Sequence, residues 1–164
     1  MSNDPIRLHH AALRGLLIAL LSSSGASAVG PGRPNADDAQ RMQATSTKVE
    51  AESYLVEISA GSPSRAGVAG SVRVSLTAKA GFHINDQYPY RIKTSPPADG
   101  LSYPKPVLAR ADGQFEEKTA VFQLPFVAHR AGQFSVGGVL HLSVCSPTSC
   151  IVQKAPLTLT VTVL

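Results

Sequence analysis

The sequence predicts an all-β protein, an immunoglobulin-like β-sandwich of about seven to nine antiparallel strands. Apolar and polar residues alternate with a period of two in several segments after residue 48, which is typical of strands that bury one face. Clusters of Gly, Pro, Asp and Ser separate these segments, and none of them shows the 3.6-residue repeat of an amphipathic helix. A closed barrel is the alternative architecture.

The individual strands are predicted from this alternation. It is clearest in 72–79, 139–144 and 157–163. In 72–79 the apolar side chains all point to one face and the polar side chains to the other. Weaker alternation predicts five further strands at 54–59, 90–94, 101–109, 120–127 and 134–136.

Composition excludes several classes of protein. Of the 164 residues, 43% are hydrophobic, which is too many for wholesale disorder. The formal charge of +4 is spread along the chain, so we expect no nucleic-acid partner. No window has the roughly 18 consecutive apolar residues that a membrane span needs, so none is expected in the mature chain. Two cysteines cannot form a zinc site alone, and we predict neither a metal nor a cofactor.

The first 28 residues are predicted to be a signal peptide. Arg7 and Arg14 give a basic start, 15–21 form a short apolar core, and small residues precede a cleavage site near Ala28. Cleavage there would place the protein in the periplasm or outside the cell, where disulfides persist. A frayed N-terminal helix is the alternative interpretation.

A flexible linker is predicted to follow at 29–47, because this segment is rich in Gly, Pro and polar residues and has few large apolar side chains. The folded domain is therefore predicted to occupy 48–164.

Cys145 and Cys150 are the candidate functional residues. The four residues between them suit a hairpin loop, in which Pro147 is a natural turn residue. Opposed residues of an antiparallel pair have Cα atoms about 4.5 to 5.5 Å apart, inside the disulfide range of about 4.4 to 6.8 Å. The sequence therefore predicts that the two cysteines can form a disulfide across the hairpin.

The same alternation predicts which face the cysteines share. Counting back by twos from Cys145 gives Ser143 and His141, whereas the residues between them are apolar. We therefore expect the disulfide on the polar face or at the open end of the sandwich, within reach of an attacking thiolate. His141 is about 13 Å from Cys145 along a strand, too far to share a metal ion.

Two roles for the pair remain open, with free thiols or a metal site less favoured. A structural bond across about six residues stabilises a fold by about 2 kcal/mol in the chain-entropy model, against about 4.7 kcal/mol across 100 residues. This small gain weakens the interpretation as a structural bond, and from the residues alone both roles stay open.

Three aromatic and polar side chains have two interpretations each. Tyr88 and Tyr90 form either an exposed recognition patch or ordinary packing, since tyrosines favour interfaces. His83 lies either in a polar loop at the end of a strand or in an acid–base or metal site.

The cysteine segment resembles a known family. The run from Leu140 to Cys145, the four-residue loop, Cys150 and the Lys-Ala-Pro-Leu at 154–157 resemble the N-terminal periplasmic domain of the thiol–disulfide interchange protein DsbD. Residues 79–85 resemble that family's Gly-aromatic strand entry. Gly-Gln-Phe at 132–134 lies where the family turns into its cysteine strand.

The resemblance implies an immunoglobulin-like fold and a function. Cys145 and Cys150 would be the redox pair that passes reducing equivalents to periplasmic thioredoxin-like partners through mixed disulfides. Residues 112–115 lie where the family has a cap loop. Because the sequence ends at Leu164, a stand-alone domain is expected, with a separate membrane protein as electron donor. The protein would act as a protein-disulfide reductase or an electron-transfer partner. The alternative is a non-catalytic secreted binding or assembly domain with a structural disulfide.

Overall fold

The computed structural model describes residues 46–61 and 64–164, which form two antiparallel sheets packed as a sandwich. The predicted signal peptide, 1–28, and nearly all of the predicted linker, 29–47, lie outside the described residues. The described ranges contain no α-helix, and their one 3-10 turn is Arg110–Asp112. None of their helical segments is long and apolar enough to cross a membrane.

Eleven strands make up the two sheets in the described ranges. In chain order they are β1 (Lys48–Glu50), β2 (Tyr54–Ala60), β3 (Ala69–Ala78), β4 (His83–Ile84), β5 (Arg91–Thr94), β6 (Leu101–Ser102), β7 (Val107–Ala109), β8 (Gly113–Phe115), β9 (Thr119–Ala128), β10 (Gly132–Cys145) and β11 (Cys150–Val163). The first sheet has the order β1-β2-β3-β9-β6, with β8 also paired to β9. The second has the order β11-β10-β5-β7, with β4 also paired to β10.

The predicted fold class is confirmed, since the protein is an antiparallel β-sandwich. Alternation in β3 works as predicted, with Val72, Val74 and Leu76 buried. They meet apolar side chains from the facing sheet in one core. There are more strands than predicted because β1, β4 and β8, which are only two or three residues long, are too short to show alternation in the sequence.

One predicted strand is divided. The predicted strand at 101–109 forms β6 in one sheet and β7 in the other. Pro104 and Pro106 lie between them, and proline has no N–H to donate to a ladder. Their positions account for the break.

Two other predicted strands, 134–136 and 139–144, are joined in β10 through Gly137 and Gly138. A Cβ at Gly137 would lie against the carbonyl oxygen of Leu157 and 2.8 Å from the Cα of Thr158. A Cβ at Gly138 would lie against the carbonyl oxygen of Lys93. The glycines therefore let the backbones of β5 and β11 approach β10 closely from both sides.

We expect Gly138→Ala to lower the free energy of unfolding by about 1 to 3 kcal/mol, because the added methyl group must displace the β5 backbone. Urea unfolding measures the loss. Ser135→Ala, at an exposed position of the same strand, is the control and should change stability by no more than about 0.5 kcal/mol. Equal stability of the two variants would contradict the close approach.

Candidate functional site

The two cysteines form a disulfide at the end of the β10–β11 hairpin. Cys145 is the last residue of β10 and Cys150 the first of β11, and they are direct partners in the ladder. Their Cα atoms are 3.9 Å apart, closer than predicted for opposed strand residues. The pairing across a hairpin agrees with the prediction.

The loop between the cysteines is held by Ser146. Its backbone N–H donates to the carbonyl oxygen of Ser149 at 2.8 Å. Its Oγ accepts hydrogen bonds from the backbone N–H groups of Thr148, at 3.3 Å, and Ser149, at 3.1 Å. A serine at the first position of a tight turn makes such bonds in preference to continuing the strand. The Ser-Pro-Thr-Ser sequence therefore specifies the turn that brings the cysteines together.

The two ends of the disulfide differ in exposure. Cys145 is buried, with 6% of its surface exposed, whereas Cys150 is exposed. The prediction that the shared face is open is wrong for Cys145 and for Ser143, which is fully buried. The reason is β4, whose residues His83 and Ile84 pair with Cys145 and Val144 and cover this end of β10.

A buried hydrogen-bond network lies two residues before Cys145. The hydroxyl of Tyr90 donates to the carbonyl oxygen of Ser143 and accepts from the backbone N–H of Asn85 at 3.1 Å. The side-chain amide of Asn85 donates to the hydroxyl of Ser143 at 3.2 Å. Burial raises the pKa of Tyr90 to about 12, so at neutral pH its hydroxyl is protonated and can donate. Of the two interpretations of Tyr90, packing is correct, because its side chain is 1% exposed.

Tyr90 also anchors an aromatic cluster. Its ring centroid is 5.0 Å from that of Phe115, which in turn is 5.5 Å from that of Phe122. The guanidinium of Arg110 lies 4.2 Å from the centroid of the Phe115 ring. The resemblance assigns residues 112–115 to a cap loop, and in the structure this segment ends in β8. The ring of Phe115 packs against the rings of Tyr90 and Phe122.

A hollow of about 410 Å³ adjoins this end of the sandwich. Its lining includes His83, Arg110, Phe115 and Glu117. His83 connects the hollow to the disulfide, because it is the ladder partner of Cys145, although Cys145 itself does not line the hollow. Both positively and negatively charged side chains line this hollow.

His141 lies away from the disulfide, among cations. Arg91 on β5 and Lys154 on β11 are its ladder partners. Burial and the charges of Arg91, Lys154 and Lys93 lower the pKa of His141, which favours its neutral form. Among the described residues, no group of three or more His, Cys, Asp or Glu side chains is placed to hold a metal ion.

The sequence pattern indicates the two cysteines but not the neighbouring residues that make their environments different. Ser143 and Arg110 had no pattern that marked them, and Tyr90 had two interpretations. The usable signal for the network was the short distance in sequence from Asn85 to Tyr90, two hydrogen-bonding residues in a turn before a strand.

We expect Tyr90→Phe to lower the free energy of unfolding by about 0.5 to 1.5 kcal/mol, because the carbonyl of Ser143 loses one buried donor and keeps the N–H of Asn85. Tyr88→Phe is the matched control, since the Tyr88 hydroxyl makes no hydrogen bond with the described residues. Urea unfolding of both variants measures the difference. Equal losses in the two variants would show that the network does not stabilise the fold.

The burial of the Tyr90 hydroxyl has a pH signature, because burial raises its pKa. A tyrosine pKa raised from 10.0 in the unfolded chain to about 12 in the fold stabilises the protein fully below pH 10.0. This stabilisation is lost as the pH rises towards 12, because the unfolded chain then releases the proton more readily. The stability advantage of the natural protein over Tyr90→Phe should therefore shrink between about pH 10 and 12 in urea unfolding. An advantage that grows with pH would contradict the assignment.

No family model matches this chain, and no curated protein matches it.

Proposed function

We propose that this protein is an exported thiol–disulfide exchange domain that passes reducing equivalents to periplasmic thioredoxin-like proteins. The observation that carries the proposal is the asymmetry of the disulfide, which has a buried end at Cys145 and an exposed end at Cys150. Exchange requires that a thiolate approach one sulfur in line with the bond, and that the other sulfur leave. Exposure favours Cys150 as the sulfur that is attacked.

The reaction proceeds in two exchanges. A partner thiolate attacks the sulfur of Cys150, so that a partner–Cys150 disulfide forms and the Cys145–Cys150 bond breaks. The electron pair of the broken bond leaves on the Cys145 thiolate. A second partner thiolate then attacks the partner's sulfur in the mixed disulfide and releases Cys150 as a thiolate.

These exchanges move two electrons from the partner dithiol to this chain, and their reverse moves two electrons from this chain to a partner disulfide. The resemblance to the DsbD domain supports a separate membrane protein as the donor and thioredoxin-like proteins as the acceptors. It also supports export, with which the disulfide agrees, because disulfides persist in oxidising compartments.

A second function is favoured by a different observation. The buried end at Cys145 is paired with β4 as well as β11, as a structural bond would be. In that case the protein is a non-catalytic secreted binding or assembly domain. The two functions differ in the reduction potential of the pair.

For the exchange function we expect a reduction potential above about −300 mV, because bonds well below that value resist reduction by thiol pools. Equilibration with glutathione or dithiothreitol buffers, followed by alkylation of free thiols, measures it. A value well below about −300 mV identifies a structural bond and eliminates the exchange function.

Trapping distinguishes the roles of the two cysteines. Cys145→Ala leaves the exposed Cys150 with no resolving thiol. This variant should therefore accumulate a mixed disulfide with an oxidised thioredoxin-like protein, which non-reducing gels detect. Cys150→Ala is the matched control and should accumulate little. Accumulation in Cys150→Ala alone would reverse the assigned roles, and accumulation in neither would favour the binding domain.

A further inference from the structure

From Cys150 to Lys154, the outer edge of β11 has no backbone partner among the described residues, and we call it the free edge. β11 is the last strand of its sheet. Among the described residues its ladder partner is β10, and an isolated bridge joins Val163, at the far end of β11, to Ser64. Further along, the backbone N–H of Thr158 donates to the carbonyl oxygen of Ser46, at 3.0 Å, so the backbone groups of Thr158 point away from β10. Since these directions alternate along a strand, Cys150, Val152 and Lys154 also point their N–H and C=O groups away from β10.

The other side of the hairpin gives the same result independently. The carbonyl oxygens of Gly137 and Ser143 in β10 accept bonds from Ser95 and Asn85, on the side away from β11. The backbone N–H and C=O groups of even-numbered residues in β10 therefore point towards β11. Because Val144 is paired with Ile151, the backbone groups of odd-numbered residues in β11 point towards β10. The N–H and C=O groups of even-numbered residues in β11 thus point to the outer edge of the sheet.

This edge has no partner among the described residues between Cys150 and Lys154. No described backbone group outside β10 bonds to Cys150, Val152 or Lys154. All three are exposed, with 59% of the surface of Val152 accessible. Pro156 follows on the same edge, where its missing N–H limits further pairing. The free edge is therefore short and begins at the exposed cysteine.

We propose that an extended segment of the redox partner pairs with this edge as an additional antiparallel strand. The inference rests on the proposed function and names the partner's binding mode. A residue placed opposite Cys150 would have its Cα about 4.5 to 5.5 Å away, within the disulfide range. Strand pairing would thus place a partner cysteine beside the sulfur that it attacks.

Continuity of the free edge with Cys150 favours the redox partner over other occupants. Main-chain bonds would supply affinity that depends little on the partner's sequence, as several thioredoxin-like partners require. Once the strand is paired, the partner thiolate attacks Cys150 and Cys145 leaves with the electron pair, as in the exchange above.

Val152→Pro tests the proposal. It removes the outward N–H of Val152 and leaves the bonds from β11 to β10 intact, and Pro156 shows that this edge of the strand accepts proline. Val152→Thr is the matched control, because it keeps the N–H and the branched shape. The measurement is the rate constant for reduction of the oxidised protein by reduced thioredoxin and, separately, by dithiothreitol.

We expect Val152→Pro to lower the rate constant with thioredoxin about fivefold to tenfold, the effect of one lost hydrogen bond. The rate constant with dithiothreitol should stay within about twofold, and Val152→Thr should match the natural protein with both reagents. If Val152→Pro lowers the urea midpoint, Lys154→Pro removes the next outward N–H and serves as the second variant.

Three outcomes would overturn the inference. Unchanged exchange of both proline variants with thioredoxin rejects strand pairing while the proposed function stands. A dimer of the natural protein in sedimentation that Val152→Pro converts to a monomer assigns the edge to a second copy of this chain. Exchange of the natural protein with dithiothreitol but not with thioredoxin rejects the proposed function, and the inference with it.

Discussion

The antiparallel ladder between β10 and β11 determines the rest of the structure. All fourteen residues of β10 are paired with all fourteen of β11, from Gly132 and Val163 at one end to Cys145 and Cys150 at the other. A slip of one residue would turn every apolar side chain of these strands to the wrong face, so the core fixes the register. The core therefore also fixes which residues meet at the cysteine end.

The two strands of this hairpin have different neighbours, and the properties of the site follow from that difference. β10 is interior to its sheet, with β4 and β5 on its far side, so Cys145 is buried. β11 is an edge strand, so Cys150 is exposed and its backbone groups have no partner among the described residues. The positions of β10 inside the sheet and of β11 at its edge thus account for the exposure of Cys150, the burial of Cys145 and the free edge.

The sequence was sufficient for features that repeat along a strand and insufficient for features made by single contacts. Alternation predicted β3, most of β10 and the second half of β11, and the loop length predicted the cysteine pairing. A two-residue strand such as β4 has no repeat to detect, so the burial of Cys145 and Ser143 was missed. The role of Tyr90 depends on a carbonyl 53 residues away in sequence, a distance that local patterns do not record.

The ladder also bears on the choice between a structural bond and an exchanging one. A bond across about six residues removes little chain entropy, about 2 kcal/mol, and here the residues it joins are already paired by the backbone. The end of β10 is held separately by the bonds of Tyr90 and Asn85 to Ser143. Breaking the disulfide would therefore leave the hairpin in place. Oxidised and reduced forms with the same fold are what reversible exchange requires, because neither electron transfer nor its reversal then has to rebuild the sandwich.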